Sequence, residues 1–287
     1  LGEQVIVERI GTDGSIPRAI ELIGELDGKV DAFGMGGIDL WIACGSHKFM
    51  LKDAISIANA AKKSPIVDGG RVKGTLERRV IQYLDTVCHV PFKELNVLMV
   101  SGADRFPMAE AFQATGCNLI LGDLIFTLGI PIPLRSVGTL DKVARIIGPV
   151  VARLPFSMLY PTGKKQDSRT ANSKYAKYYQ KADIIAGDFH YVVKHMPLDM
   201  KGKSIITNTV TEDDIEDFRQ RGISTLITTT PDMDGRSFGT NVLEALLVTL
   251  LRKRPEDITD DEINGILDRL GFKPRILVLN PPSLIPA

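Results

Sequence analysis

A chain of 287 residues with a hydrophobic share of 44% is long enough for one large α/β core or two modest ones, and its 35 basic and 35 acidic side chains cancel. A balanced charge gives no long-range field to draw the chain to nucleic acid or to an anionic membrane. The three cysteines, Cys44, Cys88 and Cys117, stand at wide spacings with no CxxC pair, which speaks against a disulfide framework or a zinc site and for an intracellular, cytoplasmic protein. The sequence opens on Leu1-Gly2 without a methionine, so a removed targeting segment stays open. Gln4 to Ile10 alternates apolar and polar as a half-buried strand does. Gly11-Thr12-Asp13-Gly14-Ser15 then turns the chain into a helix with Pro17 near its start and Ile20, Leu22, Ile23 and Leu26 on its buried side. That turn has the composition of an anion cradle, although such turns are common. Val30 to Phe33 reads as a second strand, completing a βαβ-like unit.

Ile38 to Ala43 and His47 to Leu51 read as a hairpin, followed by a helix over Asp53 to Lys63. A short strand ends in the turn Asp68-Gly69-Gly70, and Thr75 to Cys88 reads as an amphipathic helix. Pro91 to Glu94 drops into polar residues and marks the expected boundary between an N-terminal α/β domain, 1–92, and a second domain, 93–252, with 253–287 packing back on the first.

Asn96 to Asp123 is the most informative stretch. Val97 to Val100 is an apolar run of the kind a parallel sheet buries on both faces, and Ser101-Gly102 breaks it with small residues. Asp104 has the character of a helix cap with Pro107 in the first turn, Gly116 ends that helix, and Leu119 to Leu121 is the next strand. A helix starting just past a parallel strand points unpaired N–H groups at the crevice above the sheet. Asp123 follows Gly102 by 21 positions, close to the roughly 20 that separate a glycine turn from a ribose-binding acid in dinucleotide folds. Asp104 and Pro107 stand where the second and third glycines of that fingerprint belong, and a plain βαβ unit fits the same residues.

Gly129 to Pro133 is a proline-interrupted loop, Leu140 to Val151 a helix, and Tyr160 to Tyr179 a polar, basic, aromatic-rich surface segment ending in a helix. The apolar stretch Val143 to Tyr160 is cut by Arg145, Pro149, Arg153 and Pro155 and is too broken to span a bilayer. Strands over Ala182 to Asp188, Lys203 to Thr207 and Ser224 to Thr228, with a helix over Glu212 to Arg221, continue the alternation. Helices over Gly239 to Arg252 and Asp260 to Leu270 precede a proline-rich tail. Strands alternating with helices predict an α/β fold whose second domain is a doubly wound, Rossmann-like parallel sheet.

Ligands of such sheets sit beyond the carboxyl ends of the strands. The candidates are therefore Ser101, Gly102, Asp104, Arg105 and Asp123 for a cofactor, joined by Thr207, Asn208 and Thr209, with Asn208 and Thr209 equally placed to cap the helix that follows. Asp188, Arg236, Ser237 and Asn241 are the candidates for substrate. His190, two residues past Asp188, is the histidine best placed for acid–base work. Lys73, just after the turn at Asp68, can form a Lys–Asp proton shuttle with it if burial lowers the lysine pKa. No metal site is expected.

The stretches VERIGTDG (7–14), VDAFGMGGIDL (30–40), GDLIFTLGIPIPLRS (122–136), ADIIAGDFHY (182–191), IITNTVT (205–211) and DGRSFGTNVLEALL (234–247) resemble the shikimate and quinate 5-dehydrogenase family. The resemblance implies an NAD(P)-dependent oxidoreductase acting on a small hydroxylated or carbonyl metabolite. It implies a Lys–Asp pair, for which Lys73 and Asp68 are the candidates, a counterpart of the family's Asn-Ala-Thr segment at Asn208 and Thr209, and a substrate-contacting helix in GTNVLEALL (239–247). An acid at Asp123 favours NAD over NADP, because it would repel a 2′-phosphate. A non-redox nucleotide- or metabolite-binding protein, acting as a sensor or an assembly component, is the alternative, and a transferase using the same crevice is a third. The partner is a small molecule, and homo-oligomerisation stays open.

Overall fold

The computed structural model describes residues 4–44, 47–151, 173–230 and 239–283. The chain enters through helix α1 (Ile16–Leu26), which Ser15 caps by accepting from the Arg18 N–H at 3.3 Å, with Pro17 in the first turn. Strand β1 (Phe33–Gly34) pairs in parallel with β4 (Ile66–Val67), and between them lie the antiparallel hairpin β2 (Trp41–Cys44) and β3 (His47–Met50) and helix α2 (Lys52–Ala58). Met35, Leu51, Ala54 and Ile57 form a small core against Ile16, Ile20 and Ile23. The strand expected over Gln4 to Ile10 does not form. Those residues run without a ladder, and Ile6 is 84% exposed, because an alternating pattern becomes a strand only where a neighbour offers an edge.

Helix α3 (Gly70–Thr86) begins five residues earlier than its apolar pattern suggests, and the turn that follows, Phe92–Glu94, is a 3₁₀ turn whose Phe92 is buried. Strand β5 (Asn96–Met99), helix α4 (Phe106–Thr115) and strand β6 (Asn118–Leu121) form as read, and Gly116 closes α4 in the left-handed conformation at φ 78°. After them come α5 (Asp123–Phe126), α6 (Val137–Val151), α7 (Ser173–Lys181), β7 (Ile184–Ala186), α8 (Phe189–Lys194), β8 (Ser204–Thr207), α9 (Glu212–Gln220), β9 (Thr225–Thr228), α10 (Thr240–Leu251), α11 (Asp260–Arg269) and β10 (Arg275–Val278).

Six strands make the main sheet in the order β10-β9-β8-β7-β5-β6, parallel except for β10, which runs antiparallel to β9. Alternation along each strand divides the core. Val97, Met99, Leu119, Leu121, Ala186 and Ile227 face Leu84 of α3, Met108 and Phe112 of α4 and Leu140 of α6. Leu98, Val100, Ile185, Ile205 and Leu226 face Phe126, Tyr179, Val192, Ile215 and Phe218 on the other side. Helices thus cover both faces, as a parallel sheet requires. A third core joins Val72 and Leu76 of α3 to Leu243 and Leu247 of α10 and Ile263 and Ile266 of α11. Strand β10 was not legible in advance, and residues after 253 divide between α11 on α3 and β10 on the main sheet.

The order doubles back at β5, whose chain leaves to β6 on one side while β7 lies on the other. A crevice at the carboxyl ends of β5 and β7 is the expected consequence. No helix of the described residues is long and apolar enough to cross a membrane.

Candidate functional site

The turn after β5 does not make the helix cap expected of it. Arg105 stands at the N-cap position of α4 without a side-chain cap, and Asp104 is drawn off into ion pairs. Lys73, on the first turns of α3, holds its ammonium 3.5 Å from Asp104 Oδ1 and 3.4 Å from Asp39 Oδ2. Arg105, only 3% exposed, forks between Glu77 of α3 and Asp188 Oδ2 at 2.8 Å. Its Nε lies 3.7 Å from Asp104, too far for a hydrogen bond. Asn208 completes the chain of contacts: its Nδ2 donates to Asp188 Oδ2 at 3.2 Å, and its Oδ1 accepts from the Phe189 N–H at 2.9 Å.

These contacts bring together Asp39, Lys73, Glu77, Asp104, Arg105, Asp188 and Asn208 at the point where the strand order reverses. Asp39 and Glu77 were not among the residues singled out from sequence. Glu77 lies four positions after Lys73, hence on the same helix face, a spacing that could have flagged it. Asp39 arrives only through the fold.

Charge in the cluster is set by mutual compensation. Burial disfavours the Lys73 ammonium, but Asp104 and Asp39 outweigh it and raise its pKa, so Lys73 keeps its charge and offers hydrogen bonds, not a free base. Burial likewise works against Arg105, and Glu77, Asp188 and Asp104 more than restore its charge. Burial raises the Glu77 carboxyl against the pull of Arg105 and Lys73, and its Oε2 has no hydrogen-bond partner among the described residues.

Asp68 stands apart from Lys73. Its Oδ2 accepts from the Leu40 N–H at 2.6 Å and its Oδ1 from the Gly70 N–H at 2.9 Å, so it fastens the Asp39 segment to the start of α3. Asp188 caps α8 by accepting from the His190 N–H at 3.0 Å, and the His190 ring packs edge-on against Phe189 at 5.4 Å. Thr207 is buried and donates to the Gly187 carbonyl at 2.9 Å; the Thr209 hydroxyl meets that of Thr230 at 3.4 Å. Thr211, not Asn208 or Thr209, caps α9, in a reciprocal capping box with Asp214. Ser101 is buried. Asn241 at the start of α10 donates to the Gly34 carbonyl at 3.3 Å, and Arg236 and Ser237 lie outside the described residues.

Asp123 closes the turn itself. Its carboxylate accepts from the Ala103 N–H at 2.8 Å and from the Gly102 N–H at 3.1 Å. Burial lifts its pKa to about 6, against those two amides. A Cβ at Gly102 would come within 2.9 Å of Leu121 and 3.0 Å of Leu140, so the glycine gives room to the protein's own side chains.

Two family models match the chain, each described only as a domain of unknown function: DUF8754 over residues 71–279 and DUF8753 over residues 1–68. Comparison with curated proteins gives no match.

Proposed function

The chain belongs to the DUF8754 family, whose description assigns no activity, and we propose that it is a Rossmann-like, doubly wound protein that binds a small hydroxylated metabolite in the crevice without redox chemistry, as a sensor or an assembly component. The observation that carries this reading is the occupancy of the glycine turn by Asp123. A pyrophosphate binds a strand-to-helix turn through its free N–H groups, and here Gly102 and Ala103 already donate to a carboxylate of the same chain. A dinucleotide does not fit the turn in that arrangement, whereas the Lys73 cluster suits hydroxyl groups. The ammonium can donate to a hydroxyl oxygen while Asp39 and Asp104 accept hydroxyl protons. Cytoplasmic location is part of the same reading, supported by the three scattered cysteines.

A second reading, an NAD(P)-dependent oxidoreductase acting on a small hydroxylated or carbonyl metabolite, is favoured by Lys73. An ammonium held charged beside Asp104 at the reversal of the strand order can hydrogen-bond a carbonyl oxygen and stabilise the charge that develops on it. In that reading Ser101, Gly102, Arg105, Thr207 and Thr209 line the cofactor side, and Asp123 leaves the turn for a ribose.

Calorimetric titration of the wild type and of Asp123→Ala with NAD, NADH, NADP and NADPH separates the two, because they predict opposite signs. If Asp123 fills the turn, the wild type gives no heat, and the variant, with two amides released, gains affinity for these phosphate-bearing nucleotides. If Asp123 holds a ribose, the wild type binds one nucleotide pair at micromolar strength and the variant loses it. Micromolar binding lost in the variant would overturn the first reading.

A further inference from the structure

Resting on the reading of the crevice as a metabolite site, the geometry points to a ligand class: uncharged polyols or hydroxycarbonyl compounds, with carboxylated and phosphorylated compounds excluded. A ligand anion needs a cation that it can reach and whose charge is not already compensated. Arg105 is 3% exposed, its two terminal nitrogens meet Glu77 and Asp188, and its Nε, which has no hydrogen-bond partner among the described residues, is buried. Lys73 is more open, with 18% of its side chain exposed, yet it already lies between Asp39 and Asp104. Among the described residues of the cluster, four carboxyl groups therefore face two cations, and the most exposed member is an acid, Asp39 at 32%.

Two further observations bear on the same choice. Glu77 is fully buried and bonded to Arg105, with its other oxygen lacking a hydrogen-bond partner among the described residues, so the Arg105 charge is compensated inside the protein. The turn amides, the other anion-binding groups at this end of the sheet, are filled by Asp123. Hydroxyl groups meet none of these obstacles, since each can donate to Asp39 or Asp104 and accept from Lys73.

The test pairs compounds that differ by a carboxylate: inositol against quinate, and sorbitol against gluconate. Each is titrated into the full chain at low ionic strength by calorimetry and by thermal shift. The uncharged member of a pair should bind at least about tenfold more tightly, and in Asp39→Asn that ratio should fall toward one, since a charge near 4 Å at the protein surface contributes that much or more. Tighter binding of quinate or gluconate to the wild type would overturn the charge selection and leave the metabolite reading standing. No binding by any of the four would overturn both.

Discussion

Glu244 of α10 reaches the first turn of α3, where its Oε2 accepts from the Arg71 N–H at 3.2 Å. A carboxylate at a helix N-terminus is ordinarily comfortable. Here the side chain is buried, and burial together with Asp68 lifts its pKa from 4.5 to about 7 in spite of the two amides it meets. The folded state therefore holds the proton more tightly than the unfolded chain does. Its contribution to stability is complete below about pH 4.5 and is lost as the pH rises through 7. Glu244→Gln, which keeps an acceptor for both amides, should match the wild type near pH 4.5 and exceed it by about 1–3 kcal/mol at pH 8. Urea denaturation at the two pH values measures this, and equal stabilities at pH 8 would remove Glu244 as a source of strain.

Removing Arg105 should be far more damaging. It is enclosed by Glu77 and Asp188, and taking away one member of a buried ion pair leaves the other charge without compensation, at a cost of about 3–5 kcal/mol. Arg105→Met should show a loss of that size in urea. The double variant Arg105→Met/Glu77→Gln should recover part of it, because the stranded acid is gone. A double variant no more stable than Arg105→Met would mean that Glu77 is not the charge Arg105 compensates.

Gly69 is fixed by two constraints at once. Its φ is 86°, and a Cβ there would lie 2.2 Å from the Asn241 backbone nitrogen where α10 begins. Gly14 shares the left-handed φ, at 76°, with nothing within 4 Å. Gly14→Ala should thus cost about 1 kcal/mol in backbone strain alone, and Gly69→Ala at least about 3 kcal/mol, since the helix must also move. Thermal unfolding of the two variants compares them directly.

His195 is expected to stay neutral in the physiological range. Its ring stacks on Phe126 at 5.9 Å and leans on Tyr175 at 4.5 Å, and burial, assisted by Lys194, lowers its pKa to about 4. Since its folded pKa lies below the unfolded one near 6.5, acidification from 6.5 towards 4 costs stability. An NMR titration should find this imidazole unprotonated at pH 5.5, and a midpoint near 6.5 would show that the ring stack is open to water.

The central strand, helix and strand were legible because every signal in them is local: apolar runs over Val97–Val100 and Leu119–Leu121, a proline in the first turn of α4 and a glycine at its end. Strand β10 was not, since Arg275–Val278 becomes a strand only by lying against β9. Gln4–Ile10 erred the other way, with strand alternation but no edge to join. The site divides along the same line. Lys73 stood out beside a turn, but the partner assigned to it from sequence proximity, Asp68, is occupied with Leu40 and Gly70 amides. Its actual neighbours come from 34 positions before it and from the turn after β5. Asp104 looked like a cap because capping is a short-range pattern, and a tertiary lysine outcompetes the helix for it.

Arg105 touches Glu77 on a helix of one sheet face and Asp188 at the head of a helix on the other. It acts as a tie-bar across the top of the sheet. Sliding one helical layer past the other would stretch that tie, and lifting the Asp39 segment from Lys73 would break both their 3.4 Å contact and the 2.6 Å bond from the Leu40 N–H to Asp68.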